Sequence, residues 1–185
     1  LDTDRPSVLH GMKVLYRILL QLYMEAARPI LGALDEGRVV GVGMVRDPRR
    51  RVSKKKAFML FLPQLHRLGA MFLRHPIRTL RIVAASRPPR GLRERFLTFE
   101  ALGVHPLYQG RGAGKALMIY AQELARRDPS VTGIYLNTGS EKNRSFYESL
   151  GYETLEVRNL GKVKVYHMFW TNPGTRQAFS IAEIS

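Results

Sequence analysis

Cysteine is absent from the sequence, and acidic residues are few. Without cysteine the protein has no disulfide framework, no thiolate metal site and no cysteine nucleophile, which is compatible with a reducing, cytoplasmic compartment. No apolar run approaches the length of a membrane span, and no signal-peptide pattern opens the chain. The five histidines are scattered without ligand spacing, so we expect no metal.

The excess of positive charge is concentrated in the middle of the chain. The 185 residues carry a net charge of +15, yet 46–95 alone contains fifteen Lys and Arg against two acids. The length fits a single domain. We predict one domain over 1–170, with 47–94 as a basic helical insertion and 171–185 as a C-terminal tail.

The chain is organised around a strand, a glycine loop and a helix. Phe96–Val104 reads as a strand, with Glu100, Leu102 and Val104 on one face. The loop Gln109–Gly114 follows, and a helical pattern starts directly after it. Glycines let a ligand approach the backbone, and the first N–H groups of a helix point outwards together. Such a loop predicts an anion site, most often for a phosphate.

The spacing of this loop does not match either of two common phosphate-binding motifs. A Walker loop needs glycine five residues before Gly114 and a hydroxyl after Lys115, but Gln109 and Ala116 stand there. A dinucleotide fingerprint needs G-x-G-x-x-G, whereas this loop runs G-x-G-x-G. A glycine-rich turn without any ligand is the remaining alternative.

Two longer motifs resemble a known family. The pattern V-x-P-x-x-Q-G-R-G-x-G-K-x-L runs from Val104 to Leu117, and N-x-x-F-Y-E-x-L-G-Y runs from Asn143 to Tyr152. Both are similar to signatures of the GNAT-type N-acetyltransferases, and the layout of 95–170 most resembles the puromycin-type branch. The resemblance implies an α/β (mixed α+β) fold, in which helices flank a mostly antiparallel twisted sheet of about six strands. A helical insertion would precede the strand that binds the acyl-CoA.

The remaining elements follow from periodicity and turn residues. We predict a helix over 8–28, capped by Ser7 and ended by Pro29. The family's usual first strand would precede it and is expected to be absent or cut away. The insertion would contain two helices, each beginning at a proline. The further predicted elements are strands at 30–34, 38–46, 131–137, 153–158 and 163–170, insertion helices at 63–75 and 76–86, and a helix after Ser140 that stops at Gly151.

The resemblance also implies roles for particular residues. Tyr147 would protonate the leaving thiolate, although a plain core aromatic is the alternative. Glu100 is the best candidate for the base, and a surface Glu paired with an arginine is the alternative. Acetyl-CoA, or another acyl-CoA, would be held by Leu102, Gly103, Val104, Gln109, Gly110, Arg111, Gly112, Ala113, Gly114, Lys115, Asn143 and Tyr147.

The implied function is direct transfer of an acetyl group from acetyl-CoA to a primary amine, most readily of a small molecule. One alternative is a protein or peptide N-acetyltransferase, and another is a non-catalytic acyl-CoA-binding module. The basic insertion 47–94 has several readings: a wall of the substrate pocket, a site that attracts acidic ligands, a solvated cover for the core or, ranked last, a contact with membrane or nucleic acid. We expect a monomer or homodimer.

Overall fold

The computed structural model describes residues 6–62, 80–81, 84–92, 95–161 and 163–174. Their contacts divide into two compact units. The helical unit comprises 1–28 and 49–84, and the sheet unit comprises 29–48 and 85–185. The single domain predicted over 1–170 stays a prediction.

The first helix of the helical unit, α1, spans Pro6–Glu25. Val14 and Ile18 are buried on it and pack with Leu22, whereas Leu15, which helical spacing places on the same apolar stripe as Leu22, is 38% exposed. The predicted cap at Ser7 is wrong, because the helix already begins at Pro6, where a proline needs no intrahelical donor. No helix in the described ranges combines the length and apolar character needed to cross a membrane.

The second helix, α2, spans Lys54–Phe61, where neither periodicity nor turn residues predict a helix. The Ser53 hydroxyl caps it by accepting a hydrogen bond from the Lys56 amide at 3.3 Å. Lys56 also forms an ion pair with Glu25 of α1 at 2.7 Å. Of the helices predicted at 63–75 and 76–86, the first lies outside the described residues, and 80–81 and 84–85 of the second are helical.

The sheet unit contains a six-stranded sheet in the order β1-β2-β3-β4-β6-β5. Every neighbouring pair is antiparallel except β3 and β4, so the predicted mostly antiparallel sheet is confirmed. The strands are β1 Ile30–Asp35, β2 Arg38–Arg46, β3 Phe96–Val104, β4 Gly133–Thr138, β5 Glu153–Leu160 and β6 Val163–Thr171.

Two irregularities of β3 shape the site. Its register with β2 pairs Val45 with Phe99 and Met44 with Ala101, which leaves Glu100 as an extra residue at a bulge. Strict alternation of faces therefore fails beyond Phe99. On its other edge, β3 pairs with β4 over only three residues, ending at Thr98. Beyond that point the two parallel strands diverge and leave a strand edge open.

Two helices pack with one face of this sheet: α3, Ala113–Arg126, and α4, Glu141–Glu148. The Ser140 cap of α4 is confirmed, since its hydroxyl accepts from the Asn143 amide, and Gly151 follows the helix with a positive φ of 83°. The cluster that joins helices and strands includes Leu97, Phe99, Leu117, Met118, Ala121, Ile134, Leu136, Tyr147, Met168 and Trp170.

Candidate functional site

The loop between β3 and α3 presents open backbone. Gly110 and Gly112 have positive φ angles of 77° and 90°, and Gly112 is the N-cap of α3. A Cβ at either glycine would meet no atom within 4 Å, so these positions require glycine for backbone rotation and not for lack of room. Ala116 donates the first bond of the helix to the Gly112 carbonyl, so the amides before it precede the helical ladder. The helix dipole adds positive potential there.

A cleft of about 470 Å³ lies beside this loop. The end of β3 beyond its pairing with β4, the glycine loop, the start of α3 and the helix α4 together supply its walls. Ten of the twelve predicted ligand-binding residues line it, whereas Gly103 and Arg111 do not. The lining residues are Leu102, Val104, Tyr108, Gln109, Gly110, Gly112, Ala113, Gly114, Lys115, Lys142, Asn143, Phe146 and Tyr147.

The cleft suits a ligand that carries phosphates. Lys115 from α3 and Lys142 from α4 both line it, so two cationic side chains join the loop amides. The Arg111 guanidinium lies over the Tyr108 ring, 5.3 Å from its centroid, and not among the cleft residues. Acyl-CoA combines phosphates with a long, mostly uncharged arm, and these residues fit such a ligand. Its binding stays a proposal.

Tyr147 belongs to both the cleft and the core. It is 8% exposed, and its ring centroid lies 5.3 Å from that of Phe146 and 6.0 Å from that of Tyr152. Burial raises the pKa of the Tyr147 phenol above its usual 10.0. The side chain therefore stays protonated at neutral pH and can act as a hydrogen-bond donor or an acid. Both readings of Tyr147, core aromatic and cleft residue, fit its position.

A polar network fixes α4 on β6 and so orients the α4 side of the cleft. The Arg144 guanidinium lies 5.2 Å from the ring centroid of Tyr166. The Tyr166 hydroxyl donates to Glu141 at 2.6 Å and lowers the pKa of that carboxyl. Arg144 also forms ion pairs with Glu141 and Glu148. These contacts hold the helix that presents Asn143.

Glu100 lies at the bulge and pairs with Arg46. The Arg46 guanidinium also donates to the Thr98 hydroxyl at 3.0 Å, so the carboxylate is held against the surface of β2 and β3. Glu100 is not among the described residues that line the cleft. Its pairing with an arginine is the alternative weighed from the sequence. Its role as the base stays a prediction.

A buried polar pair lies in strands β4 and β6 of the sheet. The Tyr135 hydroxyl lies 2.7 Å from His167 Nδ1, and His167 is fully buried. Burial, and next the charge of Arg158, lowers the pKa of His167, whereas Glu156 opposes this. Arg158 in turn donates to the carbonyl of Ala85. Sequence reasoning missed this pair, because each residue lies inside an apolar strand with no motif to mark it.

Sequence reasoning also missed three residues that line the cleft. Tyr108 precedes the glycine loop, Lys142 is next to Asn143, and Phe146 is next to Tyr147. Phe146 stands inside the second motif, so the signal for it was present. Lys142 has no such signal, because its place depends on how α4 packs beside the loop.

Residues 77–154 match the model of the acetyltransferase (GNAT) domain family. No curated protein matches the chain in sequence. Among solved structures, a histone acetyltransferase HPA2 and related acetyltransferase from Corynebacterium glutamicum is 20% identical, with a TM-score of 0.52, and the alignment covers 91% of this chain and 83% of that one.

Two further structures are similar. Ard1 from Thermoplasma volcanium is 14% identical with a TM-score of 0.51, over 83% of this chain and 76% of that one. The NatB acetyltransferase complex bound to CoA and MES is 14% identical with a TM-score of 0.52, over 85% and 82% of the two chains. At such identities the similarity shows the fold, and the placement in the puromycin-type branch stays a prediction. Residues 77–154 thus carry the match to the acetyltransferase (GNAT) domain, and the fold of the described residues is that of the GNAT-type acetyltransferases.

Proposed function

We propose that the protein is an N-acetyltransferase that transfers the acetyl group of acetyl-CoA directly to a primary amine of a small molecule. The observation that carries the proposal is the cleft itself, which combines the glycine loop, two lysines and the buried Tyr147. The loop amides and the lysines would bind the phosphates. The diverging strands β3 and β4 would give the rest of the ligand room beside the open edge of β3.

An acetyl-CoA bound there would supply an acetyl thioester. The chain's own part is to place an amine against the thioester carbon and to manage two protons. The amine nitrogen forms the new bond to carbon, the carbon–sulfur bond breaks, and the sulfur leaves with its electron pair. The Tyr147 phenol, kept protonated by burial, would give that sulfur its proton. Amides of Leu102–Val104 on the open edge would stabilise the developing charge on the carbonyl oxygen.

The amine must lose a proton before or during attack, and Glu100 or a water molecule would take it. Glu100 is paired with Arg46, which holds its carboxylate against the surface of β2 and β3. A water positioned near Glu100 is therefore the alternative route for the proton.

The test compares Tyr147→Phe with Tyr120→Phe, a tyrosine of α3 that is 50% exposed. Loss of a general acid should lower turnover about 100-fold or more while the dissociation constant for acetyl-CoA changes little. Tyr120→Phe should behave as wild type in both measurements. Release of free thiol, followed over a panel of amines, reads out turnover. Wild-type turnover in Tyr147→Phe would remove this tyrosine from the mechanism.

The same panel decides between substrate classes. It contains small primary amines and short peptides with free N-termini or lysines. Turnover of peptides alone would replace the small-molecule proposal with a peptide N-acetyltransferase. Acetyl-CoA at a hundredfold excess over its dissociation constant should stabilise the fold by about 2.7 kcal/mol. Stabilisation without turnover of any amine would indicate a non-catalytic acyl-CoA-binding module.

A further inference from the structure

The helix α2 exposes an unusual combination of side chains. Phe58, Met59 and Leu62 are 61%, 58% and 51% exposed, although all three are large and apolar. Lys54 and Lys55 begin the same helix and are exposed beside them. At 3.6 residues per turn, these five positions fall within about 140° of the helix circumference. One face of α2 is thus both basic and apolar.

The charges on this face are not neutralised within the described residues. Lys56 is held by Glu25, but Lys54 and Lys55 have no ion pair in the described part of the chain. The segment 46–95 that surrounds them carries fifteen basic residues against two acidic ones. Further along the chain, Leu80 is 68% exposed next to the exposed Arg81, which repeats the combination of apolar and basic side chains. The exposed face of α2 therefore attracts anions and leaves apolar groups in water.

We propose that the exposed face of α2 docks the protein on an anionic lipid surface. The positive charge complements the phosphate headgroups, and the long lysine stems let the ammonium groups reach them while Phe58 and Leu62 enter the acyl boundary. A nucleic acid would satisfy the charge but would leave the aliphatic side chains exposed. The Ser53 cap stabilises the start of α2, so the helix exists before docking and its folding does not reduce the binding free energy. The proposal goes beyond acetyl transfer and does not depend on it.

Co-sedimentation of the full chain with vesicles tests the proposal. One set of vesicles contains phosphatidylcholine alone, and the other contains equal parts of phosphatidylcholine and phosphatidylglycerol. We expect binding to the anionic vesicles only. The double variant Lys54→Gln/Lys55→Gln should weaken binding about 25-fold, at about fivefold for each lysine. Phe58→Ser/Leu62→Ser should abolish binding even at low salt.

Matched controls lie in the sheet unit. Leu34 and Val39 are 67% and 63% exposed there, so Leu34→Ser/Val39→Ser removes as much exposed apolar surface without touching α2. Arg38→Gln with Lys164→Gln removes two exposed charges elsewhere. Neither control should change vesicle binding. Circular dichroism and thermal unfolding without any ligand show that every variant is folded.

Three results would overturn the proposal. Failure to bind anionic vesicles would remove it outright. Unchanged binding of Phe58→Ser/Leu62→Ser would mean that no apolar contact is made. A single-stranded RNA bound as tightly as the vesicles, with loss of binding in the lysine variant only, would replace the lipid with a polyanion.

Discussion

The sheet unit and the helical unit use similar residues in opposite ways. Sixteen buried side chains form one cluster in the sheet unit, whereas the cluster described in the helical unit contains two, Val14 and Ile18. The described helices α1 and α2 instead expose large apolar groups such as Met24, at 69%, and Phe58. Lysines line a cleft in one unit and lie beside exposed apolar side chains in the other.

This difference in the burial of apolar side chains indicates how each unit can recognise a ligand. In the sheet unit, packing fixes the backbone, so glycine amides and a few side chains converge on a cleft. In the helical unit, recognition would come from side chains on a helix surface, with charge and apolar area combined. Four substitution experiments, ordered from the largest expected effect to the smallest, test whether this contrast holds.

Gly133→Ala should have the largest effect on stability, because the added Cβ would collide with closely packed atoms of the sheet unit. A Cβ at Gly133 would lie 2.1 Å from the Trp170 carbonyl oxygen and 2.5 Å from the Phe169 ring. Relief requires β4 and β6 to separate, so we expect a loss above about 4 kcal/mol or failure to fold. Urea unfolding measures it.

The matched control is Gly32→Ala on β1, where an added Cβ would meet nothing within 4 Å. Its stability should be unchanged or slightly higher, since alanine restricts the unfolded chain. Equal stabilities for the two variants would show that the sheet unit is packed less closely than the contrast requires.

The elements of the sheet unit were largely predictable because each has a local cause. Phe96–Val104 matches the predicted strand, and Ser140 and Gly151 mark the ends of α4 as their chemistry demands. The bulge at Glu100 was not predictable, because it depends on the register with β2. Periodicity also gave no sign of α2, a helix of eight residues that opens with three lysines.

The second experiment compares two methionines, one in each unit. Met118 of α3 is fully buried, whereas Met59 of α2 is 58% exposed. Met118→Ala should cost about 2–5 kcal/mol, because it leaves a cavity in a closely packed cluster. Met59→Ala should change stability by less than about 0.5 kcal/mol. A large loss for Met59→Ala in urea unfolding would mean that α2 is covered in solution.

The third experiment compares the lysines of the two units. Lys115→Gln and Lys142→Gln should each weaken acetyl-CoA binding about tenfold, because a hydrogen bond to a charged phosphate is lost, at about 1.5 kcal/mol. Lys54→Gln and Lys55→Gln should leave that affinity unchanged. Isothermal titration at low and high salt measures both pairs. Equal losses from all four would indicate a general field of positive charge and no specific cleft.

The candidate site was predictable where a motif spans it and not where separate elements meet. The glycine loop and Asn143 were named from sequence because each stands in a continuous pattern. Lys142 reaches the cleft only because α4 packs beside the glycine loop. Tyr135 and His167 meet only because β4 and β6 are adjacent in the sheet. No spacing along the chain encodes such neighbours.

The smallest effect concerns pH and the buried His167. Its folded pKa is lowered from 6.5, first by burial and next by Arg158, so the unfolded chain binds the proton more readily. Stability should therefore be full above about pH 7 and fall as the pH drops through the unfolded value of about 6.5. The loss should level off below the folded pKa.

His167→Gln should flatten this slope of melting temperature between about pH 7 and about pH 5. The groups that face the ring are Tyr135, Glu156 and Arg158, and the pKa of Glu156 is lowered from 4.5 by its hydrogen bonds from Arg158. The stabilisation that Glu156 contributes is lost only at more acidic pH, so the pH ranges in which His167 and Glu156 affect stability are separate. His105→Gln, on the exposed loop, should keep the wild-type slope. An unchanged slope in His167→Gln would show that this histidine is not kept neutral by its burial in the sheet unit.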